Sequence, residues 1–515
     1  MFKRISLIML SFCFYALSMA QSGINPCGTL DHRSEWLQNF QRNNGLVDTR
    51  GGEKIYVPLT VFVVSNDDGT GKIAPSALVG SLCTLNEDFE DSNIEFYLQG
   101  GLKYLSQSEM YTHDNTTDAA YQMFDLNIPN TINCYIVGTA AGNCGYNLPY
   151  AGVVLDISCT SPDDHTWSHE IGHNLSLPHP FLGWEGGYGY DGSAVGSSTA
   201  AGTFSEPAPE TVLYNYTLFK DSLILDTLII DTAYVEKVDG SNCEYAADGF
   251  CDTPPDYLAY RWTCNQSTGT SFGTMLDPNG ESFKSDATLI MSYATDNCAL
   301  RFSPMQCEAM RANLIDVKSE YLTNQVPAAS IEDPSITYTF PTDGEAQAYD
   351  YIELEWEPVE NATHYLVQIH FNEALTQPLW EGIVTEANAI GEIPEIYAER
   401  DVFWSVAPFT HYEFCTELQG SGTFFASNVS YTGEESIRNW NIIPSIVNAG
   451  NSIMIESEDN LNGAEIAVRD MTGKLLLSEI VNNNTLDIPS IWSTGIYLVQ
   501  IRSNENIHTQ KIIVR

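Results

Sequence analysis

The segment from His169 to His179 constrains this chain more than any other, because it spaces three histidines so that they can share one metal ion. Residues four positions apart on a helix lie on the same face, so His169 and His173 can reach a common ion. Pro178 cannot continue a helix, which lets the chain turn back and bring His179 to the same point. Because imidazole is a good zinc ligand and three protein ligands leave one position open for water, the pattern predicts a zinc site.

Glu170 directly follows the first of these histidines, where its carboxylate can take a proton from a water molecule that attacks a carbonyl and can return it to the leaving group. Zinc would polarise the carbonyl and lower the pKa of the water toward ~7. Such a short motif also arises by chance, but an apolar strand pattern at 153–155 and a helical pattern over 166–177 flank this one. We therefore expect hydrolysis of peptide bonds, with Glu170 as general base and proteins or peptides as substrates.

The residues from His169 to His179 resemble the long signature of the metzincin metallopeptidases, and within them the pappalysin-like branch. The resemblance implies an α+β catalytic domain in which a mixed sheet lies above the zinc helix. One position departs from the signature, because Ser176 stands where the family has a glycine that turns the backbone after the helix. Serine should lose on the order of 1 kcal/mol in the left-handed conformation that glycine adopts freely.

A second match to the same family lies in the segment Leu289–Tyr293. Met291 corresponds to the methionine of a tight turn beneath the metal site, which implies a structural role. Tyr293 corresponds to a tyrosine that lies near the zinc in several such families and assists the transition state. The alternative is an ordinary buried strand end, because methionine also fills irregular gaps in protein cores.

A third match concerns the segment 247–256, which resembles a loop that binds calcium beside the active cleft of pappalysin-like enzymes. Calcium is held by oxygen atoms, including those of carboxylates and backbone carbonyls. The resemblance therefore implies a calcium site with the Asp248 carboxylate, the Thr253 hydroxyl and the Cys251 carbonyl among its ligands. Aspartate, glycine and proline also form ordinary turns, which is the alternative explanation.

Residues 1–20 have the composition of a secretory signal peptide, with Lys3 and Arg4 before an apolar run and small residues at 18–20. No later segment approaches the ~20 apolar residues that a membrane-spanning helix needs. The chain holds 67 acidic and 22 basic residues, a net charge of −45, which argues against nucleic acid or an anionic membrane as a partner. We expect a secreted or cell-surface protein.

Cysteine usage fits an exported protein. Of 12 cysteines one lies in the signal segment, so an odd number remains and at least one thiol has no partner within the chain. The family resemblance implies two disulfides among the cysteines at 243, 251, 264 and 298, in a pairing that the sequence leaves open. Pappalysin-like precursors also carry a Cys-Gly segment ahead of the catalytic domain, which Cys27 and Gly28 match within a pro-segment at 21–50. The match implies latency, with the Cys27 thiolate on the zinc until the pro-segment is removed, whereas a disulfide or an idle thiol is the alternative.

The rest of the sequence indicates further domains. We expect the catalytic domain to span 51–326, with an insertion at 184–240 that contains a β-hairpin or flap at 214–235, and a linker at 327–334. Alternating strands with Trp356 and Tyr365 resemble a fibronectin type III-like sandwich over 335–430. Residues 440–515 resemble the C-terminal sorting domains of the type IX secretion system, although Ile443-Pro444-Ser445 stands near the place of the usual Pro-Asn-Pro. This resemblance implies the type IX secretion machinery as a partner.

Two other interpretations are compatible with the zinc motif. A gluzincin-type peptidase would take its third ligand from a downstream glutamate, but His179 at the metzincin spacing and Met291 favour a metzincin. An inactive surface-binding or adhesin protein could use the same scaffold, but the intact histidines and Glu170 favour an enzyme. His165 lies four residues before His169, and we expect it at the start of the helix rather than on the metal.

Overall fold

The computed structural model describes residues 24–29, 32–43, 52–148, 151–184, 206–217, 228–323, 329–428, 440–443, 446–447, 450–457, 465–470, 474–480, 485–487, 492, 494–503 and 506–514. The predicted signal peptide, the first part of the insertion after 184 and the junction at Pro444 lie outside the described residues. The chain divides into two compact units, residues 1–327 and 328–515. Within the described part, no helix is long and apolar enough to cross a membrane.

The first unit combines helices with one large sheet and several small hairpins. Its helices are α1 Glu35–Arg42, α2 Pro75–Asp88, α3 Ser108–Tyr111, α4 Thr116–Leu126, α5 Thr166–Asn174 and α6 Pro304–Asp316. The strands of the large sheet are β1 Asn25–Cys27, β2 Ile55–Ser65, β3 Ile94–Leu98, β4 Lys103–Ser106, β5 Thr112–His113, β6 Ile132–Val137, β7 Thr139–Ala140, β8 Asn143–Leu148 and β9 Gly152–Asp156. The hairpins are β10 Thr211–Thr217 with β11 Leu228–Tyr234, β12 Cys264–Asn265 with β13 Thr270–Ser271, and β14 Met275–Leu276 with β15 Ser282–Phe283.

The large sheet is mixed, in the order β3-β2-β6-β9-β8-β7-β5, with β4 beside β2 and β1 beside β8. Strand β2 is parallel to β3 and β6, and β6 is parallel to β9, whereas β8 is antiparallel to β9. β2 is an apolar run that is buried along nearly its whole length, as expected of a parallel strand covered on both faces. Helix α5 packs against β8, β9 and α2, which places the zinc motif against the polar strand β8.

Disulfides and a helix cap tie the C-terminal part of this unit together. The bridges among the described residues of the unit are Cys144–Cys159, Cys243–Cys251 and Cys264–Cys298, and the free thiols are Cys27, Cys134 and Cys307. Two of these bridges are those implied among the four clustered cysteines. Asp252 accepts hydrogen bonds of 2.8 Å from the Ser303 hydroxyl and the Met305 amide, so the loop after Cys251 is fixed to the start of α6.

The second unit contains only strands and one short 3₁₀ turn among its described residues. Its first part has β16 Tyr338–Phe340, β17 Ala346–Ala348, β18 Ile352–Trp356, β19 His364–His370, β20 Pro378–Val384, β21 Asn388–Gly391, β22 Arg400–Phe409 and β23 Gly422–Ser427. They form the sheets β16-β18-β21 and β17-β23-β22-β19-β20, with Trp356, Tyr365 and Trp404 in the core. Both sheets and this aromatic core fit a small β-sandwich.

The second part of this unit has the same plan. Its strands are β24 Trp440–Ile443, β25 Ile446–Val447, β26 Ser452–Ser457, β27 Glu465–Asp470, β28 Leu475–Ile480, β29 Thr485–Asp487, β30 Gly495–Ser503 and β31 Asn506–Val514. They form the sheets β24-β26-β29 and β25-β31-β30-β27-β28. Tyr497, Ile512 and Val514 are buried in the core of this part.

The mixed α+β character predicted for the fold is confirmed, while the expected domain boundaries stay predictions. The hairpin expected at 214–235 forms as β10 and β11. The helix expected over 166–177 ends at Asn174, because the chain turns sharply at Ser176. The sequence pattern missed β8, since its asparagines and glycine give no apolar alternation.

Candidate active site

Helix α5 carries the zinc motif in the interior of the unit, and the residues from Thr166 to His173 are all buried. The Asp164 carboxylate accepts a hydrogen bond of 2.9 Å from the Thr166 amide, which satisfies one of the free amides at the helix start. Gly145 of β8 lies directly against the helix, because a Cβ atom there would be 2.8 Å from Cγ of Glu170. The close approach of helix and strand therefore depends on this glycine.

The helix ends in a turn that redirects the chain toward the third histidine. The Leu177 amide donates to the Gly172 carbonyl at 2.9 Å, and the Ser176 amide donates to the His173 carbonyl at 3.0 Å, which is the Schellman pattern. Ser176 has a φ of 73° and occupies the left-handed position of that pattern. The backbone turn expected at Ser176 is therefore present.

A contact from α6 holds this turn. The side-chain amide of Asn313 donates a hydrogen bond of 3.0 Å to Oγ of Ser176. Such a bond contributes about 1 kcal/mol, which is close to what serine loses relative to glycine in the left-handed region. Glycine could not make this contact, so the hydrogen bond offsets the conformational cost of serine at this position.

The three predicted zinc ligands converge. Their Nε2 atoms form a nearly equilateral triangle, with 3.2 Å between His169 and His173, 3.2 Å between His169 and His179, and 3.1 Å between His173 and His179. Tetrahedral ligands at the usual zinc–nitrogen distance of ~2.0–2.1 Å lie about 3.3 Å apart. The spacing of the nitrogens therefore suits one zinc ion.

Hydrogen bonds orient two of the rings for metal binding. Nδ1 of His169 donates to the Ile290 carbonyl at 2.8 Å, and Nδ1 of His173 donates to the Leu177 carbonyl at 2.8 Å. A carbonyl can only accept, so the proton is on Nδ1 and the lone pair on Nε2 is directed toward the metal position. Burial and the neighbouring rings hold the pKa of His169 well below its usual value, which keeps it neutral as a metal ligand must be.

Met291 lies directly beneath the zinc helix. A Cβ atom on Gly172 would be only 2.5 Å from Sδ of Met291, so the glycine in the motif makes room for the thioether. The Ser292 amide donates to the Leu289 carbonyl at 3.0 Å, which closes a tight turn around the methionine. The same turn supplies the Ile290 carbonyl to His169, so it supports the first ligand from below.

Tyr293 and Phe181 form the aromatic wall of the site. The Tyr293 ring centroid lies 4.9 Å from that of His179 and 5.9 Å from that of His169. His179 also stacks on Phe181, with 4.6 Å between centroids and an angle of 13° between the rings. The two aromatic rings therefore fix the orientation of the third histidine. Phe181 was not found from the sequence.

Glu170 is fully buried beside the histidines. Burial raises its pKa to about 7, although hydrogen bonds from Thr29 and Cys27 act in the opposite direction. The Thr29 hydroxyl donates to Oε2 of Glu170 at 2.7 Å and accepts from the Asn147 amide at 2.8 Å. The N-terminal segment thus contacts the carboxylate itself, through a threonine that the sequence did not single out.

Cys27 lies beside the triangle of histidine nitrogens. Strand β1 is parallel to β8 and places Cys27 opposite Gly145. Its Sγ is 3.6 Å from Nε2 of His173, and Sγ and one nitrogen of each of the three histidines all lie within 4.8 Å of one another. Gly28 faces the side chain of Asn143, because a Cβ atom at Gly28 would be 2.6 Å from Nδ2 of that asparagine. The Cys-Gly pair therefore fits this place, where a larger second residue would clash.

The fourth histidine of the motif region is not part of the cluster. His165 directly precedes α5, and its Nδ1 lies 2.9 Å from the Asp88 carboxylate. Burial disfavours its charge, but Asp88 and the neighbouring acids outweigh that effect and raise the pKa of His165. The expected position at the helix start is confirmed.

A small cleft opens beside His169 and Tyr293. Arg261 and Asp296 line it and form an ion pair with each other. Pro26 lines it as well, so the N-terminal segment borders the space next to the metal position.

The loop closed by the Cys243–Cys251 disulfide brings Asp248 and Thr253 together. The Thr253 hydroxyl lies 3.1 Å from each carboxylate oxygen of Asp248 and 2.8 Å from the Phe250 carbonyl. Both side chains are buried, whereas Cys251 is exposed. Two of the three predicted calcium ligands are therefore in contact, and a backbone carbonyl lies beside them.

A second buried acid interacts electrostatically with Asp248 and was not found from the sequence. Glu236 is 3% exposed, and among the described residues its Oε2 has no hydrogen-bond partner. Burial, and then the charges of Asp248 and Asp256, hold the pKa of Glu236 well above its usual value. A buried carboxylate without a partner is costly, and a bound cation is one way in which proteins satisfy it.

Comparisons with known proteins find one matching family and several similar proteins. Residues 449–515 match the family described as secretion system C-terminal sorting domain. An extracellular metalloprotease of Arthroderma gypseum is 25% identical over 223 residues, which cover 38% of this chain and 73% of the relative. Among solved structures, a mutant of Tannerella forsythia promirolysin is 17% identical with a TM-score of 0.31 and covers 58% of this chain and 97% of its own. The chicken CNTN1 FN1–FN3 domains are 11% identical with a TM-score of 0.15 and cover 35% of this chain and 66% of their own.

The sequence comparisons confirm the recognition made from the sequence at the level of class. The chain resembles a metallopeptidase and ends in a C-terminal sorting domain of the kind used for type IX secretion. It is a secreted or cell-surface protein, and the secretion machinery is the partner that the sorting domain implies.

The turn at Ser176 gives a stability prediction. Ser176→Ala keeps the left-handed strain and loses the bond to Asn313, so it should lower the free energy of unfolding by about 1 kcal/mol, or roughly 2–4 °C in melting temperature. Ser176→Gly loses the same bond but gains conformational freedom, so it should stay close to the parent protein. Differential scanning calorimetry measures the melting temperatures of both variants. Equal melting temperatures would contradict a conformational cost of the left-handed backbone at this position.

Proposed function

We propose that this chain is a secreted zinc endopeptidase of the pappalysin-like type that is made as a latent precursor. The observation that carries the proposal is the triangle of Nε2 atoms at 3.1–3.2 Å beside the buried Glu170. His169, His173 and His179 would hold zinc, and the set fits because at least two of the rings are oriented by carbonyls for binding through Nε2. Bound zinc would supply the Lewis acid that polarises the scissile carbonyl.

Glu170 would act as general base and then as general acid. It would take the proton of the attacking water and deliver it to the nitrogen of the departing amine. Tyr293, held against His179, would donate a hydrogen bond to the negative charge that develops on the carbonyl oxygen. The edge of β8 that pairs with β1 in the precursor would pair with an extended substrate once β1 is gone, which supports cleavage within protein chains.

Latency would come from two contacts of the pro-segment in the same site. The Cys27 thiolate would take the open position on the zinc, which is supported by the placement of Sγ within 4.8 Å of the histidine nitrogens. Thr29 would hold the Glu170 carboxylate through its hydrogen bond of 2.7 Å. The pro-segment would therefore occupy both the metal and the base.

We further propose a calcium ion in the loop closed by Cys243–Cys251. Asp248, the Thr253 hydroxyl and Glu236 would be ligands, with backbone carbonyls such as that of Cys251 completing the set. The support is the meeting of Asp248 with Thr253 and the unpartnered Oε2 of Glu236 in the buried interior of the described residues. The ion would stabilise the loop and, through Asp252, the start of α6.

The remaining parts of the chain would serve the export of the enzyme. The sandwich within residues 335–430 would act as a spacer, and residues 440–515 would carry the precursor to the type IX machinery after the signal peptide at 1–20 has directed export. The catalytic domain would span 51–326 behind the pro-segment at 21–50. An inactive adhesin on the same scaffold is the alternative that the first experiment below separates from an enzyme.

Replacing the proposed base should abolish catalysis and leave zinc in place. Glu170→Gln keeps the size of the side chain but cannot accept a proton, so turnover of a denatured protein substrate should fall at least ~100-fold. Activity is measured after removal of the pro-segment, and zinc content by atomic emission. Undiminished turnover in Glu170→Gln would end the mechanism, and a wild-type protein that binds zinc but cleaves no peptide in a library would favour the adhesin.

Two histidine variants, one inside the cluster and one outside it, test which residues bind the metal. His179→Ala should lose most of the bound zinc, whereas His165→Ala, which changes a nearby histidine outside the cluster, should retain one equivalent. Zinc content after dialysis is measured for both variants. Full zinc occupancy in His179→Ala would favour a glutamate third ligand of the gluzincin type.

Latency can be tested on the uncut precursor. Cys27→Ala should raise precursor activity at least ~10-fold and remove the thiolate charge-transfer absorption of the cobalt-substituted protein, because the thiol is then absent from the metal. Cys307→Ala is the matched control, since Cys307 is a second free thiol buried elsewhere. A Cys27→Ala precursor no more active than its parent, with unchanged absorption, would contradict metal ligation by this thiol.

Calcium removal should lower stability. Calcium at 100-fold above its Kd adds about 2.7 kcal/mol, so treatment with EGTA should lower the melting temperature by roughly 5–10 °C, and added calcium but not zinc should restore it. The shift should vanish in Asp248→Asn and persist in Asp239→Asn, an exposed acid nearby. An EGTA-insensitive melting temperature would rule out the ion.

A further inference from the structure

We infer that the loop closed by Cys243–Cys251 is the docking surface that retains the pro-segment helix α1, and that Arg33 is its anchor. This inference rests on the proposed latency, because it assigns a second attachment to the same pro-segment. The first attachment, at Cys27, needs a metal ion. The second is made of contacts between protein groups alone.

Arg33 and Gln41 together donate hydrogen bonds to two backbone carbonyls of the loop. Nη2 of Arg33 donates to the Glu244 carbonyl at 2.9 Å and to Oε1 of Gln41 at 2.5 Å, and its Nε donates to the same Oε1 at 3.1 Å. Nε2 of Gln41 then donates to the Asp248 carbonyl at 2.9 Å. One guanidinium therefore fixes a glutamine from the other end of the helix, and the two side chains bind the loop at two carbonyls.

The surface of the loop is shaped for the guanidinium. Gly249, with a φ of 77°, lies against Arg33 so closely that a Cβ atom there would overlap the guanidinium. A side chain at this position would displace the arginine. Burial lowers the pKa of Arg33, and the nearby Asp248 carboxylate acts in the opposite direction.

The start of α1 is organised for this contact. Ser34 caps the helix by accepting from the Leu37 amide at 3.1 Å, and the Gln38 side chain donates to the Arg33 carbonyl at 2.8 Å. Leu37 is fully buried, so the helix also has an apolar contact with the unit. The arginine is therefore held in position by its own backbone and by the cap.

Only a short segment of chain separates the two attachments. Cys27 and Arg33 are six positions apart, so a thiol that leaves the metal stays at a high local concentration while Arg33 remains bound. The anchor therefore makes the latent state resist thiol reagents and loss of metal. Release of the pro-segment then requires that α1 leave the loop as well.

The test uses the full precursor, with and without zinc, and two readouts that do not depend on peptidase activity. Arg33→Ala should accelerate hydrogen exchange of the amides in α1 at least ~10-fold. It should also accelerate alkylation of Cys27 by iodoacetamide, followed by mass spectrometry. Arg42→Ala is the matched control, because Arg42 is exposed and its side chain bonds to Gln38 in its own helix rather than to the loop. Gln41→Ala should have an intermediate effect.

The outcomes separate this inference from the latency that it extends. If Cys27→Ala activates the precursor while α1 stays protected, both stand. If Arg33→Ala equals Arg42→Ala in both readouts, or if Cys27→Ala alone frees α1 as fully as Arg33→Ala does, the anchor is wrong while latency stands. If Cys27→Ala leaves both the activity and the cobalt absorption of the precursor unchanged and only Arg33→Ala frees α1, the anchor stands and ligation by the thiol fails.

Discussion

The site depends on the left-handed turn at Ser176. A helix alone can direct His169 and His173 to one point, but the third imidazole must come from a chain that reverses direction within a few residues. The Schellman hydrogen bonds produce that reversal, and the same turn presents the Leu177 carbonyl that orients His173. Without the turn, His179 would lie beyond the reach of the other two rings, and His173 would lose the partner that sets its tautomer. One backbone conformation therefore controls two of the three ligands.

Two glycines let the elements on either side of helix α5 pack closely against it. Gly145 brings β8 against Glu170 from one side, and Gly172 admits the Met291 thioether from the other. The helix is thus held between the sheet edge and the tight turn, and the turn also returns the Ile290 carbonyl to His169. A buried helix with polar residues is stable only when such partners are in place, because unpaired polar groups are costly in the interior. The contacts that pack the helix are therefore also the contacts that orient the histidines.

The meeting of the three histidines above Met291 could be predicted because the signals are local. Spacing along a helix determines which side chains share a face, and the methionine turn has a short sequence pattern. Thr29, Asn313 and Glu236 could not be predicted, because each reaches its place through contacts with residues far away in the sequence. Strand β8 was missed for a different reason. Its role as an edge beside the site favours asparagine and glycine over the alternating apolar residues by which strands are recognised.

The geometry of a strand explains why one short segment can contact two groups of the candidate site at once. Side chains two positions apart in an extended chain lie on the same side, so Cys27 and Thr29 face the site together. The groups that they meet are also neighbours, since Glu170 directly follows the first ligand on the helix and lies beside the triangle of nitrogens. Gly28 between them lies against the side chain of Asn143, which leaves no room for a side chain at that position. The pairing of β1 with β8 sets this register, so the sheet edge that supports the active site also aligns the segment that covers it.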